Sequence, residues 1–460
     1  MKDITYDVRI HKTEKRRNGE GTVTSYRVLW KVAGKSWKEP YANAAQADAF
    51  RSELMTAARR GEAFSTITGR PISWKREEAV LSWYSFTLAF VDAKWPYASP
   101  NHRRGIAEAL VDATEAALST EIGVPSRDIR RAALRWAYST RIREGGGPPP
   151  ELEKVVRWLD ENTLPMSTFS EQGAGTALAR GILDRISKTL SGKPAAANTA
   201  NRKRMTLNSA MEFGQEIGVL TANPLKAVKW TKPRTLTTVD PRTVVNISQA
   251  RRFLAEVEAN SQRGKRMKAF FGCMYYAALR PEEVVDLRRE HLHSLPEEGW
   301  GEMRLTNAEP RAGSRWTNSG RPRERRGLKH RAEGDTRRVP IHPELVALLR
   351  AHLNEFGTGP DRRVFIGPRG GLMTDRAYLK VFHEARAKAF TAEEALSPLM
   401  DVPYALRHAA VSTWLNAGVP APQVAEWAGH SVDVLLRVYA KCIHGQDGEA
   451  MRRISEATKG

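Results

Sequence analysis

Residues 403–439 read PYALRHAAVSTWLNAGVPAPQVAEWAGHSVDVLLRVY, and their punctuation decides the fold of the carboxyl-terminal part of the chain. Pro403 opens a helix that buries Leu406, Ala410, Trp414 and Leu415 along one side, on spacings close to the helical period. Tyr404 and Arg407 are three residues apart and share a face at its start. A helix start is a favourable seat for an anion. His408 follows the apolar side and reads as a packing residue. Gly429 fits a helix stop and Ser431 a new N-cap, so His430 falls on the corner between two helices. Tyr439 rides the short helix beyond that corner. One such histidine or tyrosine alone is unremarkable packing.

Working upstream, a likewise apolar helix through Phe270, Phe271, Met274 and Tyr275 stops at Arg280-Pro281. A charge at the end of an apolar helix is unfavourable unless it faces a partner. Glu283 is placed to pair with Arg280 or orient it; a surface arginine set against the helix dipole is the plainer alternative. Gly327–His330 and Asp335–Ile341 read as the two arms of a hairpin, with Lys329 on the first arm. Residues 321–340 hold eight Lys or Arg, so a generic phosphate contact is the plainer reading of Lys329. Short β-like runs at Met303–Leu305, Arg338–Ile341 and Val364–Ile366 lie among helices expected near 343–356, 375–390 and 404–417. With Ser248 as first N-cap, the block 248–460 is expected to be α+β, mostly helical with a small antiparallel sheet.

The remaining chain divides by pattern. Residues 1–70 read as a small β-β-β-α unit: alternation through Ile4, Tyr6, Val8 and Ile10, a second strand through Tyr26, Val28, Trp30 and Val32, a third near Trp37 and Tyr41. Asn43 then caps an Ala-rich helix that Gly61 stops. Such a unit suits a DNA-groove reader or, equally, a basic capping subdomain. Residues 72–230 read as helical, broken by Gly145–Pro150 and by Ser191–Pro194. Asn198 opens a helix carrying Arg202, Lys203 and Arg204, a basic stripe suited to a duplex backbone or simply to solvent. Residues 231–247, with prolines and basic residues but little apolar periodicity, read as a linker able to lie along phosphates.

The 460 residues suggest about three domains, and 73 Lys and Arg against 52 Asp and Glu give a net charge of +21. That excess points to a polyanionic partner. No apolar run approaches the ~18 residues of a membrane span, and the amino terminus lacks the apolar core of a secretion signal. Nucleic acid therefore explains the charge better than a membrane does. Two cysteines, Cys273 and Cys442, make neither a disulfide framework nor a four-ligand zinc site. A reducing cytoplasm fits.

Taken in order, Ala278-Leu279-Arg280 with Glu283, the hairpin Lys329, Leu406-Arg407-His408, Gly429-His430, and Tyr439 nine residues after that histidine resemble the tyrosine recombinase (lambda-type phage integrase) family. The carboxyl-terminal stretch is similar to integrases of actinobacterial phages and mobile elements. The resemblance is specific over about 248–442; it extends to 72–230 as the helical core-binding (SAM-like) domain and, on weaker grounds, to 1–70 as an arm-type DNA-binding domain. It implies that Arg280 and Arg407 clamp the scissile phosphate and that His430 hydrogen-bonds it. Lys329 would protonate the leaving 5′ oxygen, and Tyr439 would attack to form a 3′-phosphotyrosyl link. Glu283 would support Arg280. No cofactor or metal is then required. Tyr404 departs from the pattern, since the family carries histidine there; a phenol near pKa 10 is a poor base at neutral pH.

The resemblance further implies a homotetramer on double-stranded attachment sites, with a host DNA-bending factor and an excisionase as further partners. Met451, Ile454 and Ala457, at helical spacing, would let the tail dock on a neighbouring protomer. Two alternatives come from other classes. One is a DNA-binding regulator of the same descent that no longer cuts, for which Tyr404 is the motif evidence. The other is a relaxing enzyme like the type IB topoisomerases.

Overall fold

Strand pairing defines the first unit of the computed structural model, which describes residues 4–17, 19, 23–77, 81–171, 173–235, 238–329, 331–332, 334–367, 370–442 and 447–458. The long strand Val23–Val32 pairs along one side with Lys35–Tyr41 and along the other with Val8–Ile10 and Glu14–Arg17, all antiparallel. Side chains alternate between the faces of a sheet. One face presents Val28, Trp30 and Val32 to Ala47, Leu54 and Ala57 of the helix Ala44–Arg59. Asn43 caps that helix by accepting from the Gln46 amide, and Gly61 follows its end with φ +70°. Two features differ from the sequence expectation. Glu14–Arg17 is an additional strand, and the first expected strand divides into Ile4–Thr5, paired with Phe64–Ser65, and Val8–Ile10.

Helices alone build the second unit, including Trp83–Lys94, Pro100–Thr114, Arg127–Ala137, Pro150–Glu161, Ala174–Ile186 and Ala197–Glu216. They close around Trp83, Phe86, Phe90, Leu110, Leu134, Ile182 and Leu207. The helix bearing Arg202 begins at Ala197, with Ala196 at its cap, rather than being opened by Asn198.

The carboxyl-terminal unit starts at Ile247–Asn260. Its cap is Asn246 and not Ser248: the Asn246 side chain accepts from the Gln249 amide while the Gln249 side chain accepts from the Asn246 amide. Such a reciprocal pair satisfies two end donors at once, which Ser248 cannot do from inside the helix. Helices Gln262–Tyr276, Pro343–Phe356, Asp375–Ala389 and Tyr404–Asn416 surround an antiparallel sheet in the order Arg337–Ile341, Gly301–Leu305, Leu292–Ser294. The chain is thus multidomain and mostly helical with small antiparallel sheets. No helix among the described residues is long and apolar enough to cross a membrane.

Three local expectations fail here. Val364–Ile366 forms no strand; Arg363 and Ile366 make single bridges to Arg288 and Leu372. The expected hairpin arms do not pair with each other: Arg326–Gly327 pairs with Asn307–Ala308, and Arg337–Ile341 pairs with Gly301–Leu305. Both arms use successive parts of one preceding segment, whose free edges take up their backbone groups. His330 and Glu333, in the connection between them, lie outside the described residues. Finally, Arg280 does not end the apolar helix, which stops at Tyr276, but sits at the N-cap of Pro281–Asp286.

Two connections join the helical unit to the last one. The linker does not hang free: its Pro233 carbonyl accepts from Asn201, the Val239 amide donates to the Val438 carbonyl, and the Thr243 carbonyl accepts from the Met400 amide. The second connection is the loop 309–325, which buries Ala312 and Trp316 in the core of the helical unit. There Arg103 donates to the Trp316 carbonyl at 3.0 Å and to Asn318 at 2.7 Å, and Ser139 donates to the Arg315 carbonyl at 2.8 Å. Trp316→Ala is expected to remove about 3–5 kcal/mol of docking. Hydrogen exchange checks this: the helices around Arg103 should lose protection while the sheet Gly301–Leu305 keeps it. Uniform protection in both units would contradict the role of Trp316 as an anchor.

Candidate active site

A left-handed turn at Gly429 organises the site. The helix Ala421–Ala428 ends there with φ 66° and ψ 49°, a conformation that glycine adopts without the steric penalty of a Cβ. Helix ends leave carbonyls without partners, and these carry partial negative charge. Two arginines use them. Arg407 donates to the Ala428 carbonyl at 2.5 Å, and Arg280 donates to the Gly429 carbonyl at 2.9 Å. A Cβ at position 429 would also lie 2.5 Å from the Arg337 guanidinium. The sequence thus builds a corner that only a glycine can turn.

Arg407 is fully buried on the helix Tyr404–Asn416. Its second amino group donates to the carbonyl of Ala278, a residue held at φ 51°. Among the described residues no carboxylate bonds to it. Burial, and then the nearby Arg280 charge, lower its pKa. Arg280 instead bonds Glu283 at 2.8 Å through its side chain and at 2.8 Å through its amide. Glu283 is 2% exposed and also receives both amino groups of Arg337 at 2.8 and 2.7 Å. Burial alone would raise the Glu283 pKa, but Arg337 and Arg280 hold it well below the usual carboxylate range.

His430 follows the glycine, and its Nε2 lies 2.9 Å from the Arg407 guanidinium. A guanidinium has no acceptor, so Nε2 supplies a lone pair and the ring proton sits on Nδ1. That Nδ1 is buried without a hydrogen-bond partner among the described residues, as is Nε of Arg407. Ser431 caps the next helix, Val432–Tyr439, by accepting from the Val434 amide. Tyr439 closes that helix, buried on the same side as Leu435. Burial raises the pKa of its phenol, and Arg407 partly opposes this.

The structure therefore brings Arg280, Glu283, Arg407, His430 and Tyr439 into one cluster. Tyr404 stands beside it: its ring centroid is 5.8 Å from the Arg407 guanidinium carbon and 5.0 Å from the His408 ring, edge to face. Lys329 is exposed and makes no hydrogen bond or ion pair among the described residues. The basic stripe divides. Arg202 is exposed, near Glu108 at 3.8 Å, and Arg204 stacks over Trp230 at 5.0 Å. Lys203 departs from the expectation of a DNA contact, because its ammonium is paired with Asp112, itself bound at 2.5 Å by Arg131. The buried carboxylate holds it inside the helical unit.

Two residues of the site escaped sequence reasoning. Arg337 shares the buried face of its strand with Val339 and Ile341, and that alternation was the available signal. His408 was read as packing; its Nδ1 lies 2.9 Å from the Tyr439 hydroxyl.

The sequence profile described as "Phage integrase family" matches residues 244–442, which span every one of these residues. Over that stretch the chain is similar to the phage integrase family. No curated protein matches the chain. Similar solved structures include the Tn1549 transposon integrase in complex with transposon right end DNA, at 18% identity over 70% of this chain and 98% of that one, with a TM-score of 0.49. Others are the XerH site-specific recombinase bound to its palindromic difH substrate (13% identity, 77% and 96% covered, TM-score 0.42) and the lambda integrase bound to DNA (12%, 72% and 93%, TM-score 0.38).

The two imidazoles of the cluster, His408 and His430, are both neutral at pH 7. Burial and then Arg407 push His408 down to about 4; burial, then Arg407 and Arg280, push His430 down to about 3. An unfolded histidine titrates near 6.5. Between those values the unfolded chain binds protons that the folded chain does not, so stability falls as pH drops below about 6.5. Urea midpoints should decline from about pH 7 to about pH 5, and His430→Gln should flatten that decline. A midpoint that rises over the same interval would contradict the assignment.

Proposed function

We propose that this chain is a site-specific tyrosine recombinase that cleaves and rejoins DNA at attachment sites through a 3′-phosphotyrosyl intermediate, integrating or excising a phage or mobile element. One observation carries the reading. Three buried or nearly buried guanidinium groups, Arg280, Arg337 and Arg407, lie next to a buried phenol, and Glu283 pairs with only the first two. Unpaired buried charge is strongly unfavourable. The excess positive charge and the donors without a partner among the described residues, Arg337 Nε, Arg407 Nε and His430 Nδ1, suit a bound anion. A phosphodiester under attack is such an anion, with negative charge developing on its non-bridging oxygens.

In this mechanism Arg280 and Arg407 hold the non-bridging oxygens, and His430 donates to one of them through Nδ1. The Tyr439 oxygen attacks phosphorus, the bond to the 5′ oxygen breaks, and Lys329 supplies the proton that this oxygen takes. Glu283 fixes the Arg280 fork, and Tyr404 hydrogen-bonds the phosphate in place of histidine. The phosphotyrosyl ester retains the energy of the bond it replaces, so rejoining is the reverse reaction.

The duplex would lie between the integrase domain and the helical unit, as the core-binding domain, with Arg202 on the backbone. The amino-terminal sheet would hold a second set of sites as the arm-type domain. Opposite its helix, pairing aligns Arg9 with Lys31, Leu29 with Lys38, and Arg16 with Ser25, so these basic residues and Arg27 share one face. Assembly would be a homotetramer on DNA. The helix Asp447–Ala457 offers Met451 and Ile454, 67% and 63% exposed, to a neighbouring protomer.

The test is a pool of labelled nicked duplexes of randomised sequence, in which loss of a short fragment traps the cleaved strand. A protein–DNA band that survives SDS is expected, together with binding that weakens steeply as salt is added. No such band, with DNA still bound, would leave a DNA-binding protein that does not cut.

A further inference from the structure

We propose that His408 is the base that takes the proton from the Tyr439 hydroxyl, an inference that rests on Tyr439 being the nucleophile. The two groups touch: Nδ1 of His408 lies 2.9 Å from the phenolic oxygen, within the range for proton transfer. The imidazole packs against two phenols, with the Tyr404 ring at 5.0 Å and the Tyr439 ring at 5.6 Å. This holds the ring plane so that its nitrogen meets the reacting atom.

The other bases in the cluster are occupied. The lone pair of His430 faces the Arg407 guanidinium, and its second nitrogen carries the proton. Both oxygens of Glu283 accept from Arg280 and Arg337. Tyr404, where the family pattern has histidine, offers a phenol and no imidazole lone pair. His408 alone among these combines a free lone pair with contact to the nucleophile. Burial keeps it neutral, which is the form a base requires. Arrival of the phosphate anion beside Arg407 offsets the positive field that weakens it.

The step balances. The phenolic proton moves to Nδ1 as the oxygen lone pair forms the bond to phosphorus. The bond from phosphorus to the 5′ oxygen breaks, and that oxygen takes a proton from Lys329. On rejoining, the imidazolium returns its proton to the departing phenolate.

The experiment compares the full-length protein with His408→Ala and His408→Asn on the randomised nicked pool, made with an ordinary 5′ oxygen or with sulfur at the bridging position. A thiolate leaves without being protonated, so sulfur rescues a missing acid and not a missing base. Both variants should form adduct about 100-fold more slowly, equally on oxygen and sulfur, with DNA affinity unchanged. Lys329→Ala should be rescued by sulfur. Added imidazoles should restore the alanine variant in order of their basicity. Asparagine preserves a hydrogen bond at the Nδ1 position, so its rate decides the matter if the alanine variant does not fold. Unaltered rates, rescue by sulfur, or rescue by imidazoles regardless of basicity would overturn the assignment. A wild-type protein that forms no adduct would instead overturn the recombinase reading itself.

Discussion

Tyr439→Phe is expected to bind the nicked duplex pool as tightly as the unaltered chain and to yield no SDS-resistant adduct at all. The substitution removes one oxygen from a side chain that is fully buried on the helix Val432–Tyr439. Its ring remains beside Leu435 and Cys442 in the same apolar cluster. The folding penalty is that of one hydrogen bond, the one to His408, worth about 1 kcal/mol. Affinity is expected to be untouched because the proposed phosphate clamp, Arg280 and Arg407, keeps its own partners, the Gly429, Ala428 and Ala278 carbonyls and Glu283. Chemistry fails because the oxygen removed is the proposed nucleophile. Tyr404, the second phenol, packs edge to face against the His408 ring at 5.0 Å. Adduct formation by the phenylalanine variant would shift the nucleophile to Tyr404 and break the argument from the Gly429 corner. Loss of DNA binding would show instead that the phenol organises the arginines.

The parts of this site that could be read from the sequence are the locally encoded ones. Gly429 and Ser431 stop one helix and start the next within three residues, and each does so by its own backbone or side chain. The same holds for Asn43, and for the Arg280–Glu283 pair, three residues apart. What stayed hidden depends on partners far along the chain. Lys203 read as a phosphate contact because its partner Asp112 is 91 residues away. The docking of Trp316 beside Arg103 spans 213 residues. Arg337 sat in a run so rich in basic residues that its place on the inward face of a strand was masked by the charge around it. The hairpin expectation failed for a related reason. Alternation shows that a strand exists, but not which edge it pairs with.

Arg337 also explains why the largest stability effect is expected at a carboxylate. Glu283→Gln preserves the shape and the acceptor oxygen of the side chain but leaves Arg280 and Arg337 without their bonded counter-charge and Arg407 without the nearby negative charge. Their side chains are 11%, 1% and 0% exposed, so water cannot compensate. Removing one member of a buried ionic cluster typically costs about 3–5 kcal/mol, and a urea midpoint shift of that size is the expected result. The sign of the pH dependence follows from the depressed pKa of Glu283. Its contribution is fully present above the unfolded carboxyl value near 4.5 and is lost as pH falls toward the lower folded value. Glutamine should therefore reduce the loss of stability on acidification below about pH 4.5. A further consequence separates an anion site from an ordinary ion network. Sulfate binds the folded state of such a pocket and not the unfolded chain, so it should restore part of the lost stability in proportion to its occupancy. Chloride at equal ionic strength should not. A glutamine variant as stable as the parent, or one indifferent to sulfate, would mean that the three guanidinium groups are satisfied by backbone carbonyls alone, and the phosphate-shaped deficit on which the chemistry depends would be gone.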